Sequence, residues 1–335
     1  MSPLERLRAL PRLGVGHWPT PLHRLDRFGA ELGVEIWAKR DDVQGVALAG
    51  NKVRKFDLVV GDALARGCDS LVTTGAPQSN SARTGAAVAA ANGFRCVLLL
   101  TGAEPDATKA NLLLDRLLGA ELRFVGDRSW RWLDEEVERV AAEIDAAGGR
   151  AVSAPVGCSS PLGSLGFALA FLELDEQLRD AGVAPSTIVH TSTSGGTHAG
   201  LLVGRALAGR TVRIVGVDVG GLHREPAAAI GALAAESAAL IGLDLHISPD
   251  EIEITTDQIG DGYARPTPAG AAAIDSLARS EAVVTDPVYS GKGLAGLVDL
   301  VERRELDGPI VFWHTGGYHA LFDPVHGDEQ LSAGG

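Results

Sequence analysis

A lysine that has to react as a free amine needs surroundings that disfavour its ammonium form. The stretch Gly50-Asn51-Lys52-Val53-Arg54-Lys55 meets that need by position. The apolar run from Val34 to Trp37 predicts a strand, and a polar, glycine-bearing loop follows it. Lys52 then opens a helix whose apolar residues include Phe56, Leu58, Val59 and Val60. The positive end of a helix dipole lowers the pKa of an amine held there, which suits Schiff-base chemistry. A solvated surface position is the commoner use of lysine. This chain, however, has only five, Lys39, Lys52, Lys55, Lys109 and Lys292, against many arginines, so a lysine kept here stands out.

Three further stretches carry groups of a chemically useful kind. Ser192-Thr193-Ser194-Gly195-Gly196-Thr197-His198-Ala199-Gly200 follows a predicted strand and precedes an apolar helix. Backbone N–H groups and hydroxyls converging there could hold a phosphate dianion. The same composition also makes a tightly packed turn that binds nothing, and the residues alone leave both readings open. The loop lacks G-x-G-x-x-G and has no Walker lysine, which disfavours dinucleotides and nucleoside triphosphates. Gln78-Ser79-Asn80 stands on another strand-to-helix loop, where open α/β sheets place ligands. It offers several donors for a carboxylate or a phenolate oxygen, or else simply an N-cap. Tyr289, one of three tyrosines with Tyr263 and Tyr318, precedes a late helix. His198, His314 and His319 lack the spacing of a zinc site, and no G-x-S-x-G elbow occurs, so no metal is expected.

Those groups must be positioned by an α/β framework. Strands are predicted at Ser70–Thr74, Arg95–Thr101, Leu122–Val125, Ala151–Val156, Ser186–Thr191, Val212–Val219 and Ile310–Trp313. Helices are predicted at residues 82–92, 111–119, 132–147, 164–178, 226–242, 269–279 and 293–304, while residues 252–268 read as irregular. This alternation points to parallel, doubly wound sheets, and 335 residues suffice for two lobes or one large domain. No apolar run approaches a membrane span, and the first residues lack a signal peptide's pattern. A net charge of −13 argues against nucleic acid and anionic membranes as partners. Cys68, Cys96 and Cys158 are scattered without CxxC pairing, so a cytoplasmic protein is expected. The tail after Gly327 is expected to be loose.

Taken together, a lysine amine, a phosphate cup, a hydroxyl/amide loop and a Tyr-Ser loop are the parts of a pyridoxal-phosphate site. The chain resembles the 1-aminocyclopropane-1-carboxylate deaminase/D-cysteine desulfhydrase family, of the tryptophan-synthase-β-like, type II fold. The resemblance rests on Lys39-Arg40-Asp41-Asp42, Gly50 to Lys55, Thr74 to Asn80, Asn111 to Asp115, Ser192 to Gly200, Asp286 to Lys292 and His314 to Gly317, in order along nearly the whole chain. It implies two lobes, each a mostly parallel open sheet flanked by helices. A small lobe of residues 53–163 would be inserted into a larger one of residues 1–52 plus 164–335, with the cofactor in the cleft and a homodimer as the assembly. By the same resemblance Lys52 is the Schiff-base lysine, and Asn80 meets the cofactor's 3′ oxygen. Ser194, Gly195, Gly196 and Thr197 hold the phosphate, and Asn51, Ser290 and Thr315 complete the cofactor set. Ser79, Ser81 and Gln78 face the small amino-acid substrate, with Ser79, Tyr263 and Tyr289 joining Lys52 in catalysis.

The departures from the family pattern bear on the reaction. Ser290 stands where ring-opening deaminases carry glutamate. A carboxylate at the pyridine nitrogen keeps it protonated, whereas a hydroxyl leaves it closer to neutral. A shallower electron sink suffices for β-elimination of a good leaving group and less well for opening a cyclopropane. The expectation is therefore a carbon–sulfur lyase, with D-cysteine first and L-cysteate next as substrates. Cyclopropane deamination and a non-catalytic cofactor-holding protein are the alternatives. Ser81, Thr267 and Cys158 also depart from the family's usual residues, and substrate identity turns on them.

Overall fold

The structure is a computed structural model that describes residues 1–48 and 50–323; the tail after Gly327 lies outside the described residues. Among the described residues ten strands form two sheets: β1 Leu22–Arg24, β2 Ile36–Arg40, β3 Ser70–Gly75, β4 Arg95–Leu100, β5 Glu121–Phe124, β6 Ala151–Ala154, β7 Thr187–Ser192, β8 Arg213–Asp218, β9 Glu253–Thr255 and β10 Ile310–His314. The larger sheet runs β1-β2-β10-β7-β8-β9 and the smaller β5-β4-β3-β6. Every pairing is parallel except β1 with β2. The central strands β7 and β10 are buried at every residue, as a parallel sheet covered on both faces requires.

Helices α1 Pro3–Arg8, α2 Asp26–Leu32, α3 Lys52–Ala65, α4 Asn80–Ala91, α5 Ala110–Leu117, α6 Trp130–Ala146, α7 Pro161–Ala181, α8 Gly196–Ala208, α9 Pro226–Leu240, α10 Pro268–Glu281 and α11 Ser290–Glu302 supply the outer layers. On the larger sheet, α7, α8 and α9 close one face around Phe167, Leu202 and Ile230, while α2, α10 and α11 close the other around Phe28, Leu277 and Leu294. The smaller sheet is sandwiched by α3 and α4 on one side and α6 on the other. Helix α3 serves both bodies. Its Leu58 joins the core of α7 and α8, and its Phe56, Val59, Val60 and Ala63 join the core of the smaller sheet. The approach to α7 is close enough that a Cβ on Gly166 would sit 2.0 Å from the Arg54 carbonyl oxygen.

The expected framework is present, with three differences. Residues 252–268, read as irregular, contain β9, a three-residue edge strand too short to show alternation. The antiparallel β1 and the short helices α1 and α2 were not predicted for the same reason. The helix after β7 begins at Gly196, inside the stretch expected to be loop, so its first N–H groups face the site. Among the described residues no helix is long and apolar enough to cross a membrane.

Candidate active site

The strands' C-terminal ends meet at a cleft. It is lined by Asn51, Lys52, Ser79, Asn80, Ser81, Trp130, Thr191 to Gly195, Thr197, Tyr263, Tyr289 and Thr315, among others. Lys52 stands at the first position of α3, and its Nζ donates to Asn51 Oδ1 at 3.0 Å. Enclosure by the surrounding protein pulls its amine down to about 8. The shift expected from the helix dipole is therefore present, but burial is its main physical cause.

The start of α3 is anchored from beneath. Arg54 Nε and Nη2 donate to the two oxygens of Asp41 at 2.9 and 2.8 Å, and Nη1 and Nη2 donate to Glu173 at 3.1 and 2.9 Å. The guanidinium lies 4.2 Å from the centre of the Trp18 ring, and Trp313 Nε1 donates to Asp41 at 2.8 Å. Lys39 pairs with Glu173 and donates to the Thr20 carbonyl at 2.8 Å. Burial alone would raise Glu173, yet Arg54 and Lys39 hold its carboxyl down to about 2.

Lys55, one turn after Lys52, was not singled out by the sequence. It is buried, and its Nζ donates to the Gly157 carbonyl at 3.1 Å and to Ser159 Oγ at 2.8 Å. Burial, reinforced by Lys52's charge, holds its amine well below the usual lysine value. Ser159 Oγ lies 2.7 Å from Ser194 Oγ, and Thr197 Oγ1 accepts from Asn51 Nδ2 at 3.2 Å, leaving the threonine hydrogen to point elsewhere. Gly195 takes φ +79°, and a Cβ on Gly196 would fall 2.6 Å from Ser159 Oγ and 2.7 Å from Lys55 Nζ. Only glycine leaves this cradle open. Unbonded N–H groups at a helix start, three hydroxyls and an amine below them form a donor set that fits a phosphate.

Across the cleft, Ser79 caps α4, its Oγ accepting from Ala82 N at 3.2 Å. Ser81 Oγ is buried and finds no hydrogen-bond partner among the described residues. The hydroxyls of Tyr263 and Tyr289 touch, and Tyr263 packs edge-on against Trp130, centroids 5.6 Å apart. Burial pushes Tyr263 up to about 12 and Tyr289 well above its usual value, so both phenols stay protonated.

Two expected site residues do not reach the cleft. The Gln78 side chain turns away, accepting from Asn111 N at 3.0 Å and donating to the Lys109 carbonyl at 3.2 Å. Ser290 is fully buried behind the wall, and its Oγ donates to Asp286 Oδ1 at 2.5 Å. Asp286 also accepts from the backbone N–H groups of Val288, Tyr289 and Ser290, so both its oxygens are committed to the start of α11. Thr267 caps α10 away from the cleft, and Cys158 is buried, its thiol pushed up to about 12 by burial. Of the three histidines, His314 bonds the Val284 carbonyl, His198 packs on His190 and His319 stacks on Tyr318. Among the described residues no cluster could hold a metal ion. Trp130 had no signal, because it lies in an ordinary amphipathic helix pattern. Ser159 lay in a glycine-bearing loop whose partner only the fold supplies.

The lysine amine, the phosphate-fitting cradle and the donors between them match the aldehyde, phosphate and ring substituents of pyridoxal phosphate. Comparison with known proteins agrees. The family model of pyridoxal-phosphate dependent enzymes matches residues 14–316. A D-cysteine desulfhydrase of Salmonella schwarzengrund is 40% identical over 327 residues, covering 96% of this chain and 98% of that protein. A putative 1-aminocyclopropane-1-carboxylate deaminase of Pyrococcus abyssi is 36% identical over 326 residues, covering 97% and 96%. The crystal structure of an ACC deaminase homologue superimposes with a TM-score of 0.91 at 33% identity, over 99% of both chains. This chain belongs to the pyridoxal-phosphate dependent enzymes and is a lyase of the 1-aminocyclopropane-1-carboxylate deaminase/D-cysteine desulfhydrase group.

Proposed function

We propose that the protein is a carbon–sulfur lyase that converts D-cysteine and water to pyruvate, hydrogen sulfide and ammonia. The observation that carries this reading is that no carboxylate lines the cleft among the described residues. The buried carboxylate nearest the Tyr289 loop, Asp286, is committed to α11. Nothing there can hold a full positive charge on the pyridine nitrogen, so a good β leaving group is favoured over ring opening. The similarity to proteins named D-cysteine desulfhydrase supports the same substrate.

On this reading Lys52 would hold the cofactor's aldehyde, Ser194 to Thr197 would hold its phosphate with Lys55 beneath, and Asn80 would donate to its 3′ oxygen. When bound, the cofactor supplies the electron sink that acidifies the substrate's Cα–H. Ser79 and the first-turn N–H groups of α4 hold the substrate carboxylate. Lys52 Nζ, freed where the substrate's own amine takes its place, would be an amine near neutrality able to take the proton from Cα. The Cβ–S bond then breaks, and the protonated Tyr263–Tyr289 pair stands ready to donate to the departing sulfur. Water replaces nitrogen at Cα, so the step balances without an oxidant or reductant. The working lobes are residues 53–163 and the remainder of the chain, with the cleft between them. We place the reaction in the cytoplasm, in keeping with three free cysteines, and assign a homodimer as the assembly.

A second reading has one observation of its own. The unpartnered Ser81 hydroxyl would suit a leaving group rich in acceptor oxygens, as the sulfonate of L-cysteate is. Turnover of D-cysteine, L-cysteine, L-cysteate and the cyclopropane amino acid, scored for sulfide, sulfite, oxo acid and ammonia, tests both. Sulfide from D-cysteine as the fastest product is expected. Efficient deamination of the cyclopropane substrate would overturn the lyase reading.

A further inference from the structure

We propose that Asn111 and Arg83 are positioning residues that fix which way round the Asn80 carboxamide sits, so that its Nδ2 faces the cleft as a donor. An asparagine side chain can sit either way round, presenting oxygen or nitrogen to a ligand, unless its neighbours decide. Here the decision is made two residues back. Arg83, with no accessible surface, sits on α4 and donates from Nε to Asn111 Oδ1 at 3.1 Å. A guanidinium has no acceptor, so the atom of Asn111 that faces it must be oxygen. The other end of Asn111 is checked independently. Its Nδ2 donates to the Gln78 carbonyl, which can only accept, at 2.9 Å. The same nitrogen donates to Asn80 Oδ1 at 3.0 Å. Asn80 must therefore present Oδ1 to Asn111 and Nδ2 to the opposite side, where a Cβ on Gly317 would come within 2.9 Å of it.

The supporting groups are held in turn. Arg83 Nη1 donates to the Ala47 carbonyl at 2.9 Å, and Asn111, also without accessible surface, has its own N–H on Gln78 Oε1 at 3.0 Å. Gln78, which the sequence suggested for the substrate, instead fastens α5 to the α4 loop. One turn along α5, the buried Asp115 carboxyl has no hydrogen-bond partner among the described residues, and its charge lies near Arg83. A buried cation thus stands at the far end of a line of oriented dipoles that ends at the cleft, and each dipole in such a line strengthens the next. A donor at the cofactor's 3′ oxygen stabilises its ionised form, whereas a reversed amide would set a carbonyl oxygen against it.

This inference rests on the reading that Asn80 meets the cofactor, and the test separates the two. Pyridoxal phosphate affinity, by titration of the apoprotein, and the ratio of the holoenzyme's near-ultraviolet and visible bands at one fixed pH are measured for Asn80→Ala, Asn111→Asp and the double variant. Asn111→Asp is nearly isosteric, keeps the partner of Arg83, and repels Asn80 Oδ1, which turns the Asn80 amide round. It should weaken cofactor binding about tenfold to a hundredfold, the worth of one hydrogen bond to a charged group, and shift the band ratio. In the Asn80→Ala background the same substitution should change neither quantity by more than about twofold, because coupled residues are not additive. Asn111→Ser, which releases Asn80 without adding charge, should give a smaller shift in the same direction. It carries the test should Asn111→Asp not fold. Equal effects of the position-111 substitution in both backgrounds, or none in either, would overturn the positioning role. An unchanged spectrum and affinity in Asn80→Ala would overturn the reading of Asn80 itself, and the proposal with it.

Discussion

Two groups of enclosed cations meet at the first turn of α3, Arg54 with Lys39 of β2 and Lys52 with Lys55, and they are partnered in different ways. Arg54, with Lys39 beside it, is surrounded by Asp41, Glu173 and two indole rings, and its donors are matched with acceptors. Among the described residues Lys52 and Lys55 bond no carboxylate; they bond an amide oxygen, a carbonyl and a hydroxyl. Burial is common to both groups. Charge pairing with Asp41 and Glu173 raises Arg54's affinity for its proton against its burial, while burial pulls Lys52, Lys55 and even the paired Lys39 below their usual values. The paired cluster can only hold structure, because its charges are spent on each other. The unpaired amines are the ones left able to react or to meet an incoming anion.

Breaking the reactive half should have the largest effect. Lys52→Ala should lower lyase turnover by orders of magnitude, because nucleophile and base vanish together. Borohydride reduction of the holoenzyme followed by peptide mapping should find the cofactor on Lys52; finding it on Lys55 or Lys292 would reverse the comparison. Breaking the structural half should cost stability. Arg54→Ala leaves Asp41 and Glu173 buried without their main cation, and unfolding in denaturant should show a loss of about 3–5 kcal/mol. A loss below about 1 kcal/mol would mean that the cluster is not the anchor of α3.

Thr197→Ala sharpens the comparison from the ligand's side. It removes one hydroxyl from the phosphate cradle and should weaken cofactor binding by about 1.5–3 kcal/mol, measured by apoprotein titration. Unchanged affinity would reduce the cradle to a packing turn. The smallest effect is in pH. Because burial lowers Lys52 to about 8, its amine is neutral above that value and protonated below it. The rate at which apoprotein captures pyridoxal phosphate should therefore rise with pH and level off above about 8. A rise that continues toward an ordinary lysine value near 10 would show that Lys52 is not enclosed in solution.

Much of this was legible in the chain. Long apolar runs such as Arg95–Thr101 and Ile310–Trp313 are buried parallel strands because nothing but a doubly covered sheet accepts them. Lys52, Ser79, Asn80, Ser194, Gly195 and Thr197 announced themselves by standing where strands turn into helices, and the fold brings all of them to one cleft. Short elements such as β1 and β9 did not, since three residues carry no period.

What tertiary structure alone decided is partnership. Residue type says that Gln78, Ser290 and Arg83 can donate hydrogen bonds, but not to what. Gln78 and Ser290 spend their groups on Lys109, Asn111 and Asp286 outside the cleft, while Arg83, which does not line it, orients an amide that faces it. Lys55 and Ser159 lie 104 positions apart in the chain and meet only because α3 and the loop before α7 are pressed together. Local sequence sets what a side chain can do at short range, where backbone periodicity and turn chemistry act. Which donor finds which acceptor is set by packing between distant segments, and no local pattern encodes that.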